Sequence, residues 1–291
     1  MSEILDSLLD LLDLESIEVN MFRGHSPEEG RGRVFGGQVA AQALMAAGRT
    51  VDPSRNVHSL HAYFLRPGDP AIPILYQVDR IRDGKSFTTR RVVAIQHGEA
   101  IFNLSAQFHL TEPGLEHGRT MPEVPGPEGL PDWATRIAAQ MEKTSGQIPE
   151  WFKRPRPIDM RYVDDPGPRG FRDPRPDAVK YVWMRANGTL PDDDQLLHSC
   201  VLAYASDMSL LDSITLPHDI SWEDGLMMAS LDHCMWFHRP FRADEWLLYD
   251  QESPAAAGAR GLAQGRLFTQ DGTLVVSVMQ EGLFRMVNTK R

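Results

Sequence analysis

Proline is spread so unevenly that it divides this chain before any other pattern is read. Twelve of the 21 prolines fall between Pro113 and Pro176. Proline lacks the N–H that a sheet ladder uses and breaks helix interiors. The stretch carrying EVPGPEGLPD, KRPRP and DDPGPRGFRDPRP therefore reads as connector. One amphipathic piece within it, Asp132 to Lys143, predicts a helix. The basic KRPRP reads as a solvated loop. This leaves two better-patterned units, 1–112 and 178–291, with 113–177 between them.

The two units repeat one element order. In the first, Ile4 to Leu14 predicts an amphipathic helix. Gly36 to Val51 (GGQVAAQALMAAGRTV) predicts a small-residue helix able to lie close against a sheet. Strand-like runs follow at Val57–Arg66, Ala71–Ile81, Ser86–His97 and Ala100–Leu110, with Asp83-Gly84 as a hairpin signal. In the second, a short strand at Tyr181–Ala186 precedes a helix over Gln195–Leu211 that is apolar almost all round. Strands are expected at Ala229–Arg239, Glu245–Glu252, Arg260–Thr269 and Leu274–Arg285, with a turn at Asp271-Gly272. A shift of 173 residues aligns Phe64, Arg66 and Pro67 with Phe237, Arg239 and Pro240, Leu75-Tyr76 with Leu248-Tyr249, and Gln107 with Gln280. We read an internal duplication. The fold class is α+β, each unit a long buried helix wrapped by a curved, largely antiparallel sheet.

Composition removes whole classes of function. Lys and Arg total 30 against 40 Asp and Glu, a formal net charge of −10. An acidic surface repels nucleic acid and anionic lipid, so neither is expected as a partner, although a local basic site for a phosphorylated ligand is compatible with it. Two cysteines, Cys200 and Cys234, make neither a disulfide framework nor a Cys-rich metal site; they read as core residues of a reducing compartment. No run reaches the ~18 apolar residues of a membrane span, and the acidic start lacks the features of a secretory signal. A cytoplasmic protein without membrane insertion, cofactor or metal is the expectation.

Several motif matches fail on context. Gly84-Lys85-Ser86 lacks the upstream glycine of a P-loop and sits in a hairpin turn. The glycines from 30 to 37 miss dinucleotide-binding spacing. GxSxG, HExxH and CxxC are absent. Asp232-His233-Cys234 would put Asp232 and Cys234 on one face of a strand with His233 on the other, which a catalytic triad cannot use.

Three polar residues remain. Asp207 stands late in an apolar helix, where a carboxylate is costly unless paired. Read from pattern alone, it is either a functional group or a local cap. Gln280 lies in the apolar strand LVVSVMQEGLF and Ser230 opens ASLDHCMWFHRP. Helix and sheet of one unit meet face to face, so the three could converge on one water. No strong nucleophile is among them, and direct water attack is the chemistry they suit. Asp212 and Asp219 read as exposed.

The blocks FGGQVAAQAL, HSLHAYFLRPGD, LAYASDMSLL, SLDHCMWFHRPFRADEWLLY and TQDGTLVVSVMQEGLFR together resemble the acyl-CoA thioesterase II family over nearly the full length. The resemblance implies a tandem (double) hot-dog fold, hydrolysis of fatty acyl-CoA to free acid and CoA, and assembly as a homo-oligomer, a dimer or tetramer. It places the family's water-activating Asp, Thr and Gln on Asp207, Ser230 and Gln280, with serine standing where the family has threonine. Under the same shift Val57 replaces Ser230, and no Asp lies between Gln38 and Arg49. The first half is therefore expected to be catalytically silent, shaping an acyl tunnel or CoA site. His58, His61, Arg66 and Lys85 are its candidates for substrate phosphates. A non-catalytic acyl-CoA binding protein is the alternative. An enoyl-CoA hydratase would need a His five residues after Asp207, where Asp212 stands.

Overall fold

A computed structural model describes residues 3–27, 32–143, 155–163, 178–218, 220 and 225–287. Helix α1 (Glu3–Leu12) buries Leu5, Leu8 and Leu12, which share one face. A short hairpin follows, β1 (Glu15–Glu18) and β2 (Met21–Gly24), turning at Asn20 with φ 60°. Then come α2 (Gly36–Gly48) and four strands: β3 (Arg55–Phe64), β4 (Ile74–Asp83), β5 (Phe87–Gln96) and β6 (Glu99–Leu110). Helix α3 (Trp133–Lys143) and β7 (Ile158–Tyr162) arise inside the proline-rich stretch. The second half supplies β8 (Val179–Ala186), α4 (Gln195–Ser206), β9 (Leu226–Ser230), β10 (Asp232–Phe237), β11 (Leu247–Ala257), β12 (Arg260–Thr269) and β13 (Leu274–Met286).

Among the described residues the strands form one antiparallel sheet of 13 strands in the order β1-β2-β4-β5-β6-β3-β10-β13-β12-β11-β8-β7, with β9 also paired to β13. The halves join at the β3–β10 seam, where Asp232 faces Tyr63 and Trp236 faces Ser59. A single apolar core runs through both halves and contains α2 and α4. Every α2 residue from Gly37 to Gly48 is buried. Its alanines and glycines let α4 lie alongside in the opposite direction: Gly37 sits against the Tyr204 carbonyl and Gly48 against Leu196. Two amides interrupt this apolar helix and both are satisfied. Gln42 donates to Leu11 O at 2.7 Å and accepts from the Tyr76 hydroxyl at 2.7 Å; Gln38 donates to His25 O and Ser26 Oγ, each at 3.0 Å. They pin the segment ahead of α2 over the helix, since a buried unpaired amide costs roughly 1–3 kcal/mol.

The connector is more than a tether. Met121, Val124 and Leu130 cover a second apolar cluster of Trp183, Trp246, Leu248 and Phe268, and the Trp183 indole donates to Pro125 O at 2.9 Å. Strand β7 extends the second half's sheet beside β8. Of the KRPRP segment, Arg156 stacks over Trp133 at 3.7 Å, so this end of it packs on an aromatic ring.

The halves correspond strand by strand. β4 and β5 pair Val78 with Val92, and β11 and β12 pair Tyr249 with Leu267. After a shift of 173 these ladders have the same register, and the bulge between Arg80 and Arg82 recurs between Glu252 and Ala255.

Candidate active site

Asp207 is the cap of α4 rather than a residue inside it. The expected helix over Gln195–Leu211 ends at Ser206, and a 3-10 turn, Leu210–Thr215, follows. Asp207 keeps αR geometry (φ −80°, ψ −7°). Two buried side chains fix the turn behind it: Lys180 Nζ donates to Ser209 O at 2.8 Å and Gln251 Nε2 donates to Ser209 Oγ at 2.8 Å. Lys180, 1% exposed, gave no signal in the sequence. Asp212 is not a free surface carboxylate; it lies 3.8 Å from Lys180 Nζ. Asp219 lies outside the described residues.

The expected strand Ala229–Arg239 is two strands, broken at Leu231. The Leu231 N–H donates to Glu281 O, its carbonyl accepts from the Phe64 N–H, and Asp232 Oδ1 accepts from the Glu281 N–H at 2.6 Å. This extra residue resets the alternation of the strand. Ser230, opposite Gly282, and His233 can then both face the helices although three positions apart. His233 is fully buried. Asp232 and Cys234 point to the other face, as alternation requires. Cys234 is consequently half-buried on the outer face and not the core residue expected, whereas Cys200 is buried.

Gln280 projects inward from β13, fully buried, and its Nε2 donates to Asp207 Oδ1 at 2.6 Å. The Ser230 hydroxyl and the Gly37 backbone N–H also lie near enough to the Asp207 carboxylate to favour its charged form. The Asp207 side chain keeps partial surface access in a densely packed surround. Desolvation is the dominant influence and lifts its pKa from 3.8 to about 6, against the pull of these three donors. The structure thus brings Asp207, Ser230 and Gln280 together.

It also adds a participant that the sequence reading had placed in packing only. Helix α2 belongs to the first half, yet its N-terminus abuts Asp207. Backbone N–H groups at a helix start lack intrahelical partners and carry partial positive charge. The approach needs glycine: a Cβ at Gly36 would lie 2.9 Å from Asp207 Oδ2, and one at Gly37 2.6 Å from the Tyr204 carbonyl oxygen. The Gly-Gly pair was visible in the sequence; its partner in the other half was not.

The corresponding place in the first half is dismantled. Gln107 is not the counterpart of Gln280. On the ladders, Ala263 faces Gln280 and Arg90 faces Ala106, while Cys234 faces Met279 and His61 faces Ser105. β6 therefore matches β13 at a shift of 174, and Gln280 corresponds to Ala106. A one-residue slip reverses the face, and Gln107 points outward toward Thr89 Oγ1. Arg49 caps α2 where Asp207 caps α4. The Arg90 side chain, 1% exposed, fills the space beyond the helix end and donates to Thr50 Oγ1 at 2.8 Å, Thr50 O at 3.0 Å and Asp83 Oδ1 at 2.6 Å.

The four candidates for phosphate contacts are dispersed. His58 lies on the outer face, edge-on to the stacked rings of Phe87 (5.8 Å) and His109 (6.2 Å), with its pKa lowered by burial and then by His109. His61 meets Trp236 edge-on at 5.2 Å. Arg66 donates to Ala100 O at 2.7 Å and pairs with Glu99 at 3.3 Å. Lys85 is exposed at the β4–β5 turn. None hydrogen-bonds to Asp207, Ser230 or Gln280 among the described residues. Among those residues no three His, Cys, Asp or Glu side chains are grouped as metal ligands, and no helix is long and apolar enough to cross a membrane.

Comparison with known proteins decides the family. Residues 25–109 match the model of the acyl-CoA thioesterase N-terminal domain, and 168–283 that of acyl-CoA thioesterase. Acyl-CoA thioesterase 2 of Haemophilus influenzae is 41% identical over 98% of this chain and 99% of its own length. The chain belongs to the acyl-CoA thioesterase family. Human acyl-coenzyme A thioesterase 8 is 43% identical to this thioesterase over 95% of the chain and 88% of its own length. The crystal structure of acyl-CoA thioesterase II TesB2 from Mycobacterium marinum superimposes with a TM-score of 0.79 at 47% identity, covering 97% of this chain and 99% of that one. A hot-dog protein from Alicyclobacillus acidocaldarius, 19% identical with a TM-score of 0.75, shares the fold. The thioesterase is a hydrolase with the double hot-dog architecture.

Proposed function

We propose that the thioesterase hydrolyses acyl-CoA by direct attack of a water held and deprotonated at Asp207. The carboxylate fixed by Gln280 at 2.6 Å, beside the Ser230 hydroxyl and the start of α2, carries this reading. Ser230 and Gln280 orient the water. Its oxygen attacks the thioester carbonyl carbon while its proton passes to Asp207. Negative charge develops on the carbonyl oxygen, and the backbone N–H of Gly36 at the start of α2 stabilises it, that of Gly37 being turned to Asp207. Collapse breaks the C–S bond. CoA leaves as a thiolate, a good leaving group since thiol pKa values are about 8.5, and takes the proton back from Asp207. A carboxyl of pKa about 6 suits both transfers.

Release of free thiol from acyl-CoAs tests the proposal. Asp207→Asn should lower kcat by roughly 100-fold or more, the range general-base removal produces. Hydrolysis by Asp207→Asn at the wild-type rate would refute it, as would an acyl group trapped covalently on Ser230.

A further inference from the structure

The reaction outlined above makes no use of His233, a fully buried imidazole beside the site. Its Nε2 lies 2.9 Å from Ser206 Oγ, one residue before Asp207. Its Nδ1 is buried without a partner, and so is Gln280 Oε1. These orphaned atoms belong to neighbours on adjacent strands: the register that sets Cys234 opposite Met279 puts His233 beside Gln280, both buried on the inner face. One is a ring nitrogen able to carry a proton; the other is a carbonyl oxygen that only accepts.

We propose that His233 is the positioning residue for Gln280: a neutral imidazole protonated on Nδ1, donating to Gln280 Oε1 and holding the amide with Nε2 turned to Asp207. This tautomer satisfies both orphaned atoms at once, as buried polar groups require. Nε2 then accepts from the Ser206 hydroxyl at 2.9 Å, which turns to it from the Ala203 carbonyl oxygen 3.0 Å away on the same helix. The opposite tautomer sets the Nδ1 lone pair against the Gln280 carbonyl oxygen and leaves two buried atoms unpaired. A reversed amide would satisfy Nδ1 as an acceptor only by turning Oε1 onto the carboxylate of Asp207. Burial holds the His233 pKa down at about 4, so the doubly protonated ring does not compete near neutrality. Ser206, Asp207, Gln280 and His233 thereby form one closed chain of contacts between the end of α4 and the sheet. The role rests on the reading of Gln280 as a water-orienting residue in the proposed hydrolysis.

Two measurements test it. In the wild-type chain labelled with 15N-histidine, long-range 1H–15N correlations near pH 7 report the tautomer, with the His233 signals assigned by their loss in His233→Gln. Protonation on Nδ1 is expected; protonation on Nε2 overturns the proposal. In the second, His233→Asn sets an amide N–H where Nδ1–H stood, whereas His233→Gln reaches only the Nε2 position. The Asn variant should exceed the Gln variant in kcat by roughly tenfold, one hydrogen bond's worth, with KM alike in both. A purely structural histidine predicts the reverse order, because glutamine fills more of the vacated space; equal kcat values, or the reverse order, overturn the proposal. Should the Asn variant fail to fold, the wild-type tautomer decides. Thiol release that survives Asp207→Asn would sink the hydrolysis mechanism, while the tautomer measurement would still stand.

Discussion

Asp207 should cost the thioesterase stability at the pH where it works. Its pKa is about 6 in the folded chain against 3.8 unfolded. The native state therefore binds this proton more tightly than the unfolded chain does. Its contribution to stability is present below pH 4 and is lost as the pH rises through about 6. Two pH units correspond to ~3 kcal/mol above that range. Asp207→Asn removes the charge and keeps the shape. The gain is smaller than the full figure, because the carboxyl keeps partial solvent access and the Asn amide leaves one of the three donors without its acceptor. A net stabilisation of ~1–2 kcal/mol is expected at about pH 8, or a few degrees in Tm for a chain of this size. Urea or thermal denaturation of the two proteins at about pH 8 and about pH 4 reads it directly. The difference should shrink to ~0.5 kcal/mol or less at the lower pH, where the folded chain holds Asp207 neutral. In parallel, wild-type kcat/KM should climb with pH and level off above about 6, as a base of that pKa demands. An Asn variant no more stable than wild type at pH 8 would refute the desolvated carboxylate and the pH profile drawn from it.

Three further outcomes can be checked alongside. Gly36→Ala puts a methyl group against Asp207 Oδ2 and should lower kcat by roughly tenfold or more through displaced α2 donors, measured as thiol release with Tm as the folding control. Ser230→Thr keeps the hydroxyl and should retain most of kcat, whereas Ser230→Ala should lose roughly tenfold; equal rates for both would remove Ser230 from the mechanism. Arg90→Leu leaves the Thr50 and Arg82 carbonyls without their donor and should cost ~1–3 kcal/mol in denaturant unfolding, with kcat of the folded fraction unchanged, because Arg90 lies at the other end of α2.

The element order and most boundaries were legible because apolar periodicity and turn residues marked them. The strand Arg260–Thr269 runs as expected, and Gln280 stood out because its strand is otherwise apolar. The errors have local physical causes. Strands β1, β2 and β7 are four or five residues long, too short to show alternation. The bulge at Leu231 leaves no compositional mark, so one strand was expected where there are two. Identity at Gln107 pointed to the wrong residue because a shift of one reverses the side chain's face, which letters alone do not record. The sequence pattern could place Asp207 near α4's end but not at its cap. The approach of α2 to Asp207 depends on contact between distant segments, which no local pattern encodes.

Helix α2 has a cationic cluster at one end and the Asp207 carboxylate at the other. Arg49 donates to Leu14 O and Asp13, and Arg90 to Thr50, around its C-terminus; Asp207 faces its N-terminus. The two ends are thus subject to different constraints. At the C-terminal end any pairing that holds the helix in place will serve, and the residues there are free to change together. At the N-terminal end a single methyl group meets the Asp207 carboxylate. The first half is therefore no idle spacer: cutting the chain between the halves would leave the second with Asp207, Gln280 and Ser230 but without the amide end of the helix that faces them.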